Sequence, residues 1–278
     1  MPGEEIEKSI CDEEESVAKL RKLLSENEKL SVLEECDEAY LKRYLYSTNF
    51  VVERAFKKMK MFYDLLGEHP QWFTTDPPTE KKNIIEQDIR ILTREHDNQG
   101  RPIYIVKIGN MNANAMDLVG DVVPVDDFFI EYLLSTDPAY QHGICVIIDV
   151  SNLPWNILKW LTPGNIKVAL RRMQTMPLKE YKIHVVNSSR ILNIAVNIIW
   201  PFLPQQIKDG IQFHFDDWDS LHKHVNKEVL PPEFGGYCSM DFTKLREELY
   251  ERDVEIANNL RINRQPYLHH IEKNICKH

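Results

Sequence analysis

The stretch I-C-V-I-I-D-V, residues 144–150, limits the fold more narrowly than any other part of the chain. It is apolar at every position up to Asp149, whereas a half-exposed strand would alternate apolar and polar residues. Uninterrupted apolar strands are typical of sheets that are covered on both faces. We therefore predict that residues 144–150 form a strand inside a sheet with helices on either side.

Strands and helices alternate around this segment. The turn D-N-Q-G (97–100) separates two predicted strands, and T-P-G (162–164) has the Thr cap and the early Pro of a helix start. The other predicted elements are a helix at 126–134, a strand at 182–186, an apolar helix from 191, a short strand at 211–215 and a helix after 219. This alternation predicts an α/β fold with a mainly parallel sheet flanked by helices.

The first third of the chain has helical periodicity instead. Apolar residues three and four apart indicate a helix from Val51 to Leu66, and Asp37 is placed to cap the preceding helix. The Pro-rich T-T-D-P-P-T (74–79) is the predicted domain boundary. We expect a helical lobe at 1–78 with its first roughly twelve residues disordered, a larger α/β domain at 79–260 and a polar tail at 261–278.

The composition argues against several classes of protein. A net charge of −9 disfavours nucleic-acid binding, which requires a basic surface. No apolar run approaches the roughly 20 residues of a membrane-spanning helix, and the acidic start M-P-G-E-E does not resemble a secretory signal. Five scattered cysteines without a C-x-x-C pair are typical of reduced thiols. We expect a cytoplasmic protein.

The charge is unevenly distributed. Residues 12–38 contain ten acidic and four basic residues, whereas residues 159–190 contain seven basic residues and only Glu180 against them. A basic band on an acidic protein can face an anionic membrane. The alternative is a solvated helix surface with no partner.

Motifs for catalysis or cofactor binding are missing. The chain has no G-x-S-x-G, G-x-G-x-x-G or phosphate-loop pattern, and it has only ten glycines. His222 and His224 would diverge on a helix, so we do not expect them to share a metal. Asp216, Asp217 and Asp219 are interpreted as a turn and helix cap, with acid–base catalysis as the alternative. We expect no enzyme, no catalytic residue, no metal and no cofactor.

The segment I-L-N-I-A-V-N-I-I-W-P-F-L (191–203) is apolar around nearly its whole circumference. Its only polar side chains, Asn193 and Asn197, lie four residues apart on one stripe. Such a helix must bury more than one face. It is either a central core helix or a flap with one face over a cavity and the other toward a membrane, and the flanking Arg190, Pro201 and Pro204 favour the flap.

Several motifs in order resemble the CRAL-TRIO family, the group of cellular retinaldehyde-binding protein and alpha-tocopherol transfer protein. They extend from about residue 33 to 251 and comprise L-K-R-Y-L-Y-S-T-N-F (41–50), H-D-N-Q-G-R-P-I (96–103), V-I-I-D (146–149), M-P-L-K (176–179) before I-H-V-V-N (183–187), P-F-L-P-Q-Q-I-K (201–208) and L-P-P-E-F-G-G (230–236). The resemblance implies a helical lobe beside a lipid-binding domain, with an apolar pocket between the sheet and a mobile gate helix at about 189–210.

The resemblance also implies ligand-binding residues. They are Phe129, Leu133, Ile144, Val146, Ile148, Trp155, Leu170, Met173, Met176, Leu178, Ile183, Val185, Ile191, Ile194 and Ile198. Tocopherol-type members carry four basic residues in a phosphoinositide cleft. Lys179 matches one of them, whereas Tyr181, Gln206 and Gly210 stand at the others. Lys182, Arg190 and Lys208 are the candidate replacements for binding anionic lipid.

The expected function is binding of a small hydrophobic lipid-like molecule, such as a tocopherol or a retinoid, and its transfer between membranes. The protein would then be a monomer that binds membrane surfaces transiently, with phosphoinositides as candidate partners. The alternative is a phosphoinositide-sensing membrane adaptor that carries no lipid cargo. An enzyme would require a strongly perturbed carboxylate in the pocket.

Overall fold

The computed structural model describes residues 2–112 and 116–275, and the side chains of 12–112 and 116–273. In chain order the elements are α1 (Pro2–Ser25), α2 (Glu38–Ser47), α3 (Val52–Glu68), α4 (Lys82–Ile85), β1 (Arg90–His96), β2 (Pro102–Lys107), α5 (Val125–Thr136), β3 (Ile144–Asp149), α6 (Ile157–Trp160), α7 (Pro163–Thr175), β4 (Tyr181–Val186), α8 (Leu192–Ile199), α9 (Gln205–Lys208), β5 (Ile211–Phe215), α10 (Trp218–His222), α11 (Phe242–Glu251) and α12 (Asp253–Ile275).

The sheet has five strands in the order β1-β2-β3-β4-β5. Only the β1–β2 pair is antiparallel, and the other three pairs are parallel. Strand β3, which contains the uninterrupted apolar run, lies at the centre of the sheet, and its residues Ile144, Cys145 and Ile147 are at most 1% exposed. The prediction of a mainly parallel sheet flanked by helices is confirmed.

Short-range signals set the ends of several elements. The Asp37 carboxylate accepts a hydrogen bond from the Ala39 amide and caps α2. Thr162 caps α7 in the same way, with Pro163 at the first helical position. In the β1–β2 turn, Asp97 accepts hydrogen bonds from the following backbone, and Gly100 has the left-handed φ of 76° that the turn requires.

The apolar residues form three clusters. One lies on the sheet face covered by α5, α7 and α8, and a second lies on the opposite face, beneath α10 and residues 225–245. The third occupies the N-terminal helices α1 to α3. No helix in the described part of the chain is both long and apolar enough to cross a bilayer.

The C-terminal segment differs from the prediction. Residues 261–275, expected to be a polar tail, belong to α12, and Tyr267 is 2% exposed within the N-terminal helical cluster. The Tyr63 hydroxyl donates to the Asn263 carbonyl at 2.6 Å. The physical reason is the helical spacing of this segment, which places Leu260, Arg264 and Tyr267 on one buried face. The segment therefore packs as part of the fold.

The remaining domain boundaries stay predictions. Helix α1 begins at Pro2, within the segment expected to be disordered, but the side chains of residues 2–11 lie outside the described ones. Cys11 and Cys276 also lie outside the residues whose side chains are described. Cys36, Cys145 and Cys238 are free thiols.

A buried ion cluster joins α5, α7 and α12. Asp127 of α5 accepts hydrogen bonds from Arg172 of α7 and Arg264 of α12, each at 2.7 Å, and from the Thr74 amide at 2.9 Å. The Asp127 side chain is 0% exposed. Burial acts to raise the pKa of Asp127, but the two guanidinium groups outweigh it and hold the pKa below its usual value. The carboxylate is therefore charged and links three helices.

Candidate ligand cavity

A cavity of about 340 Å³ lies between the sheet and α8. Its volume falls within the roughly 300–1,000 Å³ of small-molecule sites. Strand residues form its floor, and its walls come from α6, α7 and residues 108–111 and 118–123. Except for Arg90 and the two indole rings of Trp160 and Trp200, the described lining side chains are aliphatic, methionine or phenylalanine.

The floor follows one row of residues across all five strands. The strand registers pair Arg90 with Val106, Val106 with Ile148, Ile148 with Val185, and Val185 with Phe213. These five residues share a face because residues paired directly across neighbouring strands project from the same side of the sheet. All except Val106, which is itself buried in the same cluster, line the cavity. The row spans four inter-strand spacings, about 19 Å.

Helix α8 covers the cavity with a different face from the one predicted. Leu192, Ala195, Val196 and Ile199 line the cavity. The predicted lining residues Ile191, Ile194 and Ile198 do not: Ile191 is 1% exposed in the core cluster, whereas Ile194 is 43% exposed on the outside. The helix is apolar on both faces, so periodicity could not determine its rotation.

Both ends of this segment have distinct backbone features. At its entry, Asn187 has a left-handed φ of 60°, and its side chain donates to Asp149 Oδ1 at 2.8 Å. The backbone amide of Asn187 donates to the Phe215 carbonyl at 2.8 Å. At its exit, Pro201 lies in a 3-10 turn (Trp200–Phe202), and Pro204 immediately precedes α9.

Five of the other predicted pocket residues line the cavity, namely Ile148, Leu170, Met173, Ile183 and Val185. Six others are buried in the same core cluster or against it but do not line the cavity: Phe129, Leu133, Ile144, Val146, Met176 and Leu178. Of the three β3 residues predicted to line the pocket, Ile148 lines the cavity, whereas Ile144 and Val146 are buried in the core cluster that also contains residues of α5. Trp155 is 61% exposed, away from the cavity.

The sequence did not predict the wall formed by residues 89–90, 108–111 and 118–123. This wall comprises Ile89, Arg90, Ile108, Met111, Leu118, Val122 and Val123. Most of these residues lie in short turns without a periodic pattern. The one available signal was the apolar spacing of Leu118, Val122 and Val123, which lie in or beside a π-helical turn (Leu118–Val122).

Arg90 is the one ionisable side chain that lines the cavity in the described part of the chain. Its Nε donates to Asp126 Oδ1 at 2.7 Å, and the Tyr104 hydroxyl donates to the same oxygen at 2.7 Å. Burial acts to lower the pKa of Arg90, but Asp126 and Tyr104 outweigh it and raise the pKa above its usual value. The cavity wall thus carries a neutral ion pair at one edge of the sheet.

The predicted basic residues do not form one site. Lys179 and Lys182 line a surface cleft of about 330 Å³ together with Glu180 and Asp209. Lys182 pairs with Glu180 at 3.4 Å, so the two cations face two carboxylates. Arg190 lies beyond the opposite end of β4. The Lys208 amine instead stacks over the Trp200 ring at 5.5 Å.

A histidine cluster lies on the opposite face of the sheet. His184 Nδ1 is 2.9 Å from His214 Nε2, and His214 Nδ1 is 2.9 Å from the Ser220 hydroxyl. His224 stacks within 5.1 Å of His184. Burial, and then the neighbouring His214 and His224, lower the pKa of His184 to about 3. The sequence pairing of His222 with His224 did not indicate this cluster, because its members come from β4, β5 and the end of α10.

The fold and cavity define a class of α/β proteins with an apolar cavity between a mainly parallel sheet and a short covering helix. Residues 87–236 match the family described as "CRAL/TRIO domain". The match covers just over half of the chain, and the chain belongs to this family, whose members bind hydrophobic small molecules.

Similar proteins include the clavesins. Clavesin-2 of Homo sapiens is 26% identical over 205 residues, which are 72% of this chain and 62% of clavesin-2. Clavesin-1 of Rattus norvegicus is 28% identical over 205 residues, 72% of this chain and 57% of clavesin-1. The chain thus spans about six-tenths of the length of these relatives. The crystal structure of Sfh5 has a TM-score of 0.50 and 12% identity, covering 88% of this chain and 98% of Sfh5, and supports the fold alone.

Proposed function

We propose that the protein is a non-enzymatic carrier that binds one hydrophobic molecule in the cavity beneath α8 and releases it at membranes. The observation that carries the proposal is an apolar cavity whose cover is apolar on both faces. Burial supplies the affinity. A chain of about 15 methylenes at roughly 0.8 kcal/mol each gives about 12 kcal/mol before the entropic costs of binding.

The outer face of the cover supports a membrane contact. Ile194 is 43% exposed, Trp200 36% and Phe215 45%. Lys208 stacks on Trp200, and Arg190 is exposed just before α8. Apolar side chains flanked by cations match the requirements of an anionic bilayer surface. We infer that this surface, defined by Ile194, Trp200 and Phe215, meets the membrane when the cavity opens.

The cleft at Lys179 gives weaker support for phosphoinositide binding. Its Lys179 and Lys182 are balanced by Glu180 and Asp209, so the cleft offers little net attraction for a polyphosphate. We therefore propose that membrane binding depends on anionic lipid in general. The protein would act as a monomer that is cytoplasmic between membrane encounters.

A transfer assay tests the proposal. Radiolabelled α-tocopherol and all-trans-retinol in phosphatidylcholine donor vesicles are mixed with the protein, and their arrival in acceptor vesicles with 20 mol% phosphatidylserine is followed. Lipid extracts of the purified protein are analysed in parallel by mass spectrometry. We expect a bound lipophile and transfer in proportion to protein. An empty cavity together with stoichiometric binding of a phosphoinositide would support the adaptor and contradict the carrier.

A further inference from the structure

We infer that the ligand carries one uncharged hydrogen-bond acceptor, such as a hydroxyl or a carbonyl group, and that Arg90 binds this group. The apolar remainder of the ligand would then extend across the sheet toward Phe213. The inference rests on the proposed function, because it takes the cavity to hold an apolar molecule.

The first argument is the hydrogen-bonding capacity of Arg90. Its Nε donates to Asp126 and its Nη1 donates to the Ile89 carbonyl at 3.3 Å. Among the described residues, none accepts a hydrogen bond from Nη2. A guanidinium group has five N–H donors, so donors remain for a ligand at the cavity wall. An acceptor placed there would form a charge-assisted hydrogen bond in an otherwise apolar space.

The second argument is the charge balance. The Asp126 carboxylate already neutralises Arg90 and also accepts from the Tyr104 hydroxyl. No other ionisable group lines the described cavity wall. A carboxylate or phosphate ligand would therefore bring an uncompensated negative charge into an apolar site, which is strongly unfavourable. An uncharged acceptor uses the free donors of Arg90 without adding charge.

The third argument is position. Arg90 lies on β1 and Phe213 on β5, at opposite edges of the sheet. Between them in this row, Ile148 and Val185 line the cavity and Val106 is buried beside it, and none of the three offers a second polar anchor. The distance along this row, about 19 Å, is close to the length of an extended C16 chain. The polar end of the ligand would thus lie at the far edge from the Trp200–Phe213 pair, whose rings are 6.2 Å apart.

Three C16 probes test the inference: hexadecan-1-ol, hexadecanoic acid and hexadecane, each radiolabelled and delivered at pH 7.4 from phosphatidylcholine vesicles that are then sedimented. The double variant Arg90→Met/Asp126→Asn removes both charges together, so neither is left unpaired. Arg90→Lys keeps the charge but shortens the donor group and loses Nη2. Arg94→Met is the matched control, because Arg94 is on the same strand but pairs with Glu248 at the surface.

We expect both Arg90 variants to bind hexadecan-1-ol roughly tenfold more weakly than the parent, the effect of one charge-assisted hydrogen bond. Hexadecane binding should change less than twofold, and Arg94→Met should match the parent for all three probes. Thermal unfolding checks that each variant folds, and Arg90→Lys carries the test if the double variant does not.

Two results would overturn the inference alone. In the first, the Arg90 variants weaken hexadecanoic acid more than hexadecan-1-ol, which would make Arg90 a carboxylate anchor. In the second, the Arg90 variants change the binding of hexadecan-1-ol and of hexadecane by the same factor. Arg90 would then not recognise the ligand, although the cavity binds it. If the parent protein takes up none of the three probes, the proposed carrier function fails together with the inference.

Discussion

The buried carboxylate of Asp127 should be the most sensitive charged position in the molecule. Asp127→Asn removes the negative charge between Arg172 and Arg264, whose Nη atoms are each 2.7 Å from its oxygens. Removing one partner of a buried ion pair costs about 3–5 kcal/mol, because the other charge stays buried without compensation. For 278 residues, an unfolding entropy of about 2.1 cal/mol/K per residue converts this loss into a fall in Tm of about 5–9 °C.

The measurement is urea unfolding at 25 °C followed by circular dichroism, together with a thermal scan. Asp216→Asn is the control, since Asp216 is exposed. The pH dependence gives a second test. Because the pKa of Asp127 is lower in the folded state, its stabilising effect is complete above the unfolded value of about 3.9 and is lost as the pH falls through the folded pKa. The parent and variant should therefore differ most at neutral pH and converge in acid.

If the free energies of unfolding of the parent and Asp127→Asn differed by less than about 1 kcal/mol at pH 7, this reasoning would be wrong. It would mean that the two guanidinium groups find other acceptors, such as the Trp72 and Thr74 carbonyls that they already contact at 2.7 and 2.6 Å. A large difference that persists unchanged to low pH would also contradict it, because the loss would then come from packing and not from charge.

Three further predictions concern the cavity and its cover. Ile148→Trp should fill the centre of the floor and lower ligand capacity at least several-fold in equilibrium binding with a folded protein, whereas Val254→Trp, at a position that is 69% exposed, should not. Without ligand, the backbone amides of 191–203 should exchange their hydrogens faster than those of β3, and bound ligand should slow this exchange at least tenfold. Strong protection of 191–203 without ligand would identify an ordinary core helix. Arg190→Glu/Lys208→Glu should weaken binding to phosphatidylserine vesicles roughly a thousandfold at low salt and far less at high salt. Lys179→Glu/Lys182→Glu should have a smaller effect, because Lys182 is already paired with Glu180. Equal effects of the two double variants would move the membrane contact to the cleft.

The sequence was sufficient for the parts of the fold that depend on local patterns. The apolar run of β3, the Asp37 and Thr162 caps and the turn at Asp97–Gly100 each have a short-range cause, and each lies where predicted. These features need only neighbouring residues.

The features that the sequence did not indicate depend on packing between distant segments. The rotation of α8 places Leu192 inward and Ile194 outward, a choice that its contacts with the floor determine. Val146 shares a face with Ile148, yet Val146 is buried in the core cluster and does not line the cavity. Arg90 lies on an edge strand, and it is held at the cavity wall by Asp126, which is 36 residues away in sequence. The same reason applies to the pairing of α12 with the N-terminal helices.

The unequal ends of the segment over the cavity have a consequence for the route of exit. Its entry is held by Asn187, which bonds both to Asp149 and to the Phe215 carbonyl, whereas its exit contains Pro201 and Pro204 and lacks the corresponding backbone donors. We expect the segment to swing about the Asn187 end and to part first from β5. A ligand would then leave sideways past Trp200, tail first, and its polar end would be the last part to lose its contacts.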